Sequence, residues 1–150
     1  MLGKLKALFT DTANRQHNRE PRALQLAAAA LLIELSRADF RRDPREQQAI
    51  VDAIRTTFNL DVDTVHELLS DAETANAQAT SLYEFTYVLN EQCDDDEKYA
   101  LVRELWRVAF ADGNIDKYED HLIRQIADLI YLPHTLYIKA KMEAASIKSS

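Results

Sequence analysis

The sequence predicts an all-α fold, and three observations carry the prediction. Its 150 residues include only two glycines and three prolines, too few turn-formers for the many connections of a β fold. Apolar residues recur at helical rather than alternating spacing along most of the chain. The three prolines, Pro21, Pro44 and Pro133, stand where apolar periodicity starts, and the first helical position is where proline is best tolerated. The length fits one domain, and 47% apolar against 29% charged residues suits a packed core rather than a disordered chain.

Eight helices follow, near residues 2–16, 22–39, 44–58, 62–79, 82–91, 95–111, 117–131 and 133–147. The first carries Leu2, Leu5, Leu8 and Phe9 beside Lys4 and Lys6, and is expected to dock on the bundle rather than on an anionic membrane. In the second, Leu24, Ala27, Leu31, Leu35 and Ala38 form one stripe, and the run Ala27–Ala30 lets a neighbour approach closely. The third opens on Asp43-Pro44-Arg45-Glu46, an N-cap, a first-position proline and a box-closing Glu. The fourth follows Leu68 and Leu69 with Ala72, Ala75, Ala77 and Ala79, and its length is the least defined. Tyr83, Phe85, Tyr87 and Leu89 place the fifth in the core. The sixth begins on the charged run Asp94-Asp95-Asp96-Glu97, which suits a helix N-terminus. It is then apolar almost all round through Leu101, Val102, Leu105, Trp106, Val108, Ala109 and Phe110, so it is central, with Trp106 in the core. Asp116-Lys117-Tyr118-Glu119 opens the seventh as Asp43–Glu46 opens the third, and Pro133 opens the eighth.

The formal charge of −7 argues against nucleic acid as a partner and leaves protein partners or cations. A single cysteine, Cys93, allows no internal disulfide. No apolar run reaches the roughly 18 residues of a membrane span, and Met1–Phe9 is too short and too interrupted for a signal peptide. The expected compartment is the cytoplasm.

Residues 26–58 overlay on 99–131 at an offset of 73. One copy reads Ala38-Asp39-x3-Asp43-x2-Glu46 and the other Ala111-Asp112-x3-Asp116-x2-Glu119. After each Glu, apolar residues fall at +3, +4, +7 and +8: Ala49, Ile50, Ala53 and Ile54 against Leu122, Ile123, Ile126 and Ala127. Upstream, Leu32 and Leu35 fall on Leu105 and Val108, and the register slips by one where Leu60 meets Leu132. Each unit is a helix, a short acidic turn and a helix, and the two are expected to pack as a pseudo-symmetric bundle.

The motif Ala111-Asp112-Gly113-x-Ile115-Asp116-x-x-Glu119, followed by His121-Leu122-Ile123-Arg124-Gln125-Ile126-Ala127-Asp128-Leu129, resembles the TerB-like family associated with tellurite resistance. The likeness extends over roughly residues 20–145. In the first copy Phe40 replaces the usual glycine, and Arg41 and Arg42 place cations inside the turn. The expected organisation is an N-terminal helix over 1–20 and a TerB-like helical domain over 21–150, one domain overall. The resemblance implies no established catalytic reaction, an accessory role in tellurite resistance or stress response, and metal binding at the acidic turns.

Asp39, Asp43, Glu46, Asp112, Asp116 and Glu119 are therefore the candidate metal ligands, with Ca²⁺ or Mg²⁺ as the cation that clustered oxygens on a turn would take. The spacing is not that of an EF-hand: counted from Asp112, the sixth residue is Lys117 and the twelfth is Ile123. Helix capping accounts for Asp116 and Glu119 without a metal, and Gly113 suits the end of the preceding helix. Asp112 is left as an acid at a helix C-terminus, where the macrodipole disfavours it. His121 and His134 read as surface histidines. Zinc spacing, a nucleophile elbow and a phosphate loop are all absent. Three functions stay open: a non-enzymatic interaction module tuned by a cation, a metal-sensing or chelating protein, and a small enzyme.

Overall fold

The computed structural model describes residues 21–38, 44–79, 81–111, 115 and 117–149. Among them are seven helices and no strand: α1 (Pro21–Ala38), α2 (Pro44–Phe58), α3 (Val62–Gln78), α4 (Tyr83–Gln92), α5 (Asp95–Phe110), α6 (Lys117–Leu129) and α7 (His134–Ser149). The all-α prediction holds, and the expected helix over 2–16 lies outside the described residues. No described helix is long and apolar enough to cross a membrane.

Two helix starts, those of α3 and α5, follow side-chain caps. Asp61 accepts from the Thr64 N–H at 2.7 Å, and hydrogen bonds from the Thr64 hydroxyl and N–H hold its carboxyl below its ordinary pKa. Asp94 forms a full capping box, accepting from the Glu97 N–H at 2.8 Å while its own N–H donates to the Glu97 carboxylate at 3.2 Å. Pro44 is the first residue of α2, as expected, whereas Pro133 sits just before α7 and accepts from Leu136 and Tyr137.

The ends of α2 and α6 share one device. Asn59 and Tyr131 have φ of 55° and 59°, in the left-handed region. Beyond them the Leu60 N–H donates to the Arg55 carbonyl, and the Leu132 N–H to the Ala127 carbonyl, the long bond of a Schellman cap. Tyr131 explains why α6 stops at Leu129 rather than at 131. Glycine is the usual residue at such a cap, and its absence here hid the stop from sequence reading. For a residue with a Cβ the conformation costs roughly 1–2 kcal/mol.

The duplication is real and longer than the sequence indicated. α1 packs on α6 as α5 packs on α2, and α1 also meets α5. The two most extensive pairings, α1 with α3 and α5 with α7, are equivalents as well. Each unit is thus three helices, α1–α3 and α5–α7, and α4 is the insert between them, packed on α1 and touching α6.

Equivalent core positions exchange bulk. Ala53 and Ile54 of α2 correspond to Ile126 and Ala127 of α6, and all four are buried, so the large and small residues swap places while total volume is kept. Leu24, Ala27, Leu31 and Leu35 line the core along α1, as the stripe predicts. The Asn76 amide joins α3 to α1 by donating to the Ala30 carbonyl at 3.0 Å. Arg22 and Asp71 add an exposed ion pair between the same helices. Trp106 of α5 is fully buried, as expected, with the Tyr137 ring of α7 at 5.7 Å and the Lys141 ammonium 4.8 Å from its centroid. Glu104 is buried on the same helix and is held by the Arg107 guanidinium at 3.1 and 3.2 Å.

Candidate functional site

Of the six candidate ligands, Asp39, Asp43, Asp112 and Asp116 lie outside the described residues. Glu46 and Glu119 are described, and both are 0% exposed. Glu46 is the third residue of α2 and shares its buried face with Ile50, Ala53 and Ile54. Glu119 is the third residue of α6 and shares its face with Ile123, Ile126 and Ala127. In both helices the carboxylate stands at i and the apolar residues at i+4, i+7 and i+8, so each Glu fills the first rung of a core-facing stripe. An aliphatic residue would fit that place by pattern alone.

Capping does not require this burial. Glu97 occupies the same position in the complete box of α5, with both bonds made, and is only half-buried. Glu46 and Glu119 therefore have something in common that Glu97 lacks: a carboxylate carried wholly out of water. That transfer costs several kcal/mol per charge unless donors, a helix N-terminus or a cation meet it. Both stand at helix N-termini, where the dipole favours negative charge. Carboxylate oxygens are also the hard donors that Ca²⁺ and Mg²⁺ take. Among the described residues alone, no three His, Cys, Asp or Glu side chains group as a metal site.

The other sequence candidates separate. His121 and His134 are exposed, and the His134 ring stacks on Tyr137 at 5.6 Å. Cys93 is half-buried, in no disulfide, and stands in the wall of a cavity of about 650 Å³ that no sequence signal indicated. That cavity lies between α1, the end of α2 and the α4–α5 junction, and Leu24, Phe58, Leu89 and Leu101 make it mainly apolar. Its carboxylate, Glu97, is engaged in the capping box. Tyr137 and Tyr99 have phenols pushed up to about 12. Burial is the main cause in each, with the carboxylates of Asp120 and Glu143 beside them.

One expectation is corrected. Phe85 and Leu89 of α4 are in the core, but Tyr83 and Tyr87 are 60% and 50% exposed. A ten-residue helix packed on one side buries one stripe, and Phe85, Thr86 and Leu89 fill it. The four residues alternate in sequence, which no single helical face can accommodate.

The family model for tellurite resistance protein TerB matches residues 25–142 of the chain. No curated protein and no solved structure matches it.

Proposed function

Because the chain belongs to the tellurite resistance protein TerB family, we propose that it is a non-enzymatic, cytoplasmic interaction module of a tellurite-resistance system, with a divalent cation held at its acidic turns. The observation that carries the cation reading is the complete burial of Glu46 and Glu119 at equivalent places in the two units. Glu119 with Asp112 and Asp116 would hold one ion, and Glu46 with Asp39 and Asp43 a second. The cation would neutralise the buried carboxylate and tie the acidic turn to the helix that follows, a structural role. Arg41 and Arg42 compete for the carboxylates of the first turn, so the second turn is the tighter site.

Calorimetric titration with Ca²⁺ and Mg²⁺ tests the reading. The wild type is expected to give saturable binding, and Glu119→Gln to abolish the tighter site while the apo protein folds as before. Gln keeps the shape and the hydrogen bonds and removes the charge. Glu46→Gln should affect the weaker site alone. Absence of saturable heat from either cation in the wild type would overturn the cation reading.

A further inference from the structure

The exposed face of α4 consists of Tyr83, Glu84, Tyr87 and Glu91, two aromatic rings and two carboxylates at i, i+1, i+4 and i+8. The two rings stand 6.0 Å apart. Asn90, on the flank of the same stripe, donates to the Leu129 carbonyl at 3.0 Å, and so fixes α4 against the end of α6. Two residues beyond Leu129, Tyr131 is 78% exposed, the most open of the large hydrophobic side chains described. Its ring contributes little to the core, and its backbone is in the left-handed region. Asp128 is exposed beside it, and Asp94, Asp95 and Asp96 follow α4 directly, all exposed.

The stretch of sequence that carries α4 holds charge of one sign. Between Thr56 and Glu97 the chain has eleven carboxylates and no lysine or arginine, while all eighteen basic residues lie outside that stretch. Tyrosine faces attract a guanidinium or ammonium through the ring quadrupole, and a neighbouring carboxylate adds a charge-assisted hydrogen bond. Interfaces are enriched in tyrosine for the same amphipathic reason.

We infer that the Tyr83–Tyr87–Tyr131 face is a docking surface for an arginine-rich segment of a partner protein. The rings receive the guanidinium planes, and Glu84, Glu91 and Asp128 receive their N–H groups. The inference deepens the interaction-module reading and is independent of the cation reading. Glu119 stands near the opposite end of α6, about 15 Å from Leu129 along ten residues of helix.

The test titrates the full chain with an oligoarginine peptide at near-physiological salt, with its uncharged citrulline analogue as control and chemical-shift mapping as the readout. Wild type is expected to bind the arginine peptide, with shifts on α4 and around Tyr131, and to ignore the citrulline peptide. The paired change Tyr83→Ser with Tyr87→Ser should weaken binding about tenfold, the loss expected from two exposed cation–π contacts with their flanking hydrogen bonds. Tyr131→Gly should weaken it as well. All three side chains are exposed, so a cooperative melt verifies that each variant folds. The control Asp61→Asn with Asp63→Asn, at the N-cap and first turn of α3, removes two charges and should leave affinity within about twofold. Equal affinity in the tyrosine variants would show general charge attraction and overturn the proposal. So would absence of binding, or concentration-dependent self-association through this face. Cation binding measured on the same samples is expected to be unchanged.

Discussion

Replacing Tyr131 by glycine and by alanine tests the backbone account of the duplicated fold. Both substitutions remove the same largely exposed ring, so whatever contact it makes cancels between them. They differ in the Cβ. At φ 59° that atom costs roughly 1–2 kcal/mol, which glycine avoids. Glycine in turn gives the unfolded chain more freedom, worth about 0.4–1 kcal/mol against it. The net expectation is that Tyr131→Gly exceeds Tyr131→Ala in stability by about 0.5–1 kcal/mol, the reverse of their order within a helix. For a chain of this length that is about 1–4 °C in melting temperature. Urea unfolding followed by Trp106 fluorescence measures it well, since the chain has one tryptophan and it is fully buried. The same order should appear at Asn59, the equivalent cap of the first unit. If alanine equals or exceeds glycine at 131, the left-handed cap is refuted, and with it the structural equivalence of the two helix ends.

Two further outcomes follow from local chemistry. Tyr99 and Tyr137 hold their protons up to about pH 12 in the native state, whereas an unfolded tyrosine loses its proton near 10. Their contribution is complete below about pH 10 and is lost as pH rises towards 12, so stability should fall across that window. The fall should be shallower in Tyr99→Phe with Tyr137→Phe, and an unchanged slope in urea titrations would count against the assignment. Asp94→Ala removes the side-chain bond of the capping box at the start of α5, leaving only the backbone N–H bond to Glu97, and should lower stability by about 1 kcal/mol, read as a lower urea midpoint at constant slope.

Much of the fold was legible because its signals are local. The Asp-Pro-x-Glu start and the i+4, i+7, i+8 stripe fix α2 at 44–58, the range the sequence predicts. The third helix of each unit was hidden because α3 and α7 begin differently, one on an Asp cap and the other after a proline. Their equivalence is carried by packing on α1 and α5, which spacing does not encode. The Schellman end of α6 was hidden because Tyr131 occupies a position where glycine is the usual marker. At the acidic turns the sequence indicated the capping role of Glu46 and Glu119. Their burial was also available in principle, since each stands four residues before a core isoleucine, Ile50 or Ile123. The cap motif accounts for each Glu by itself and so does not single out its place on the apolar stripe. The exposed tyrosines of α4 were unreadable for a different reason. Which side of a short helix is covered depends on neighbours from distant sequence.

The central claim is that two carboxylates are buried at equivalent helix starts because the folded chain takes a cation there. Thermal unfolding across a range of Ca²⁺ and Mg²⁺ concentrations tests it most directly. A ligand that binds only the folded form at one site stabilises it by about 2.7 kcal/mol at a hundred times its Kd, which for this length is roughly 5–10 °C. The expected result is a melting temperature that rises with the logarithm of cation concentration in the wild type and stays level in Glu46→Gln with Glu119→Gln. A melting temperature that stays flat in the wild type through millimolar Ca²⁺ and Mg²⁺ would contradict the claim, leaving the two carboxylates as buried helix caps.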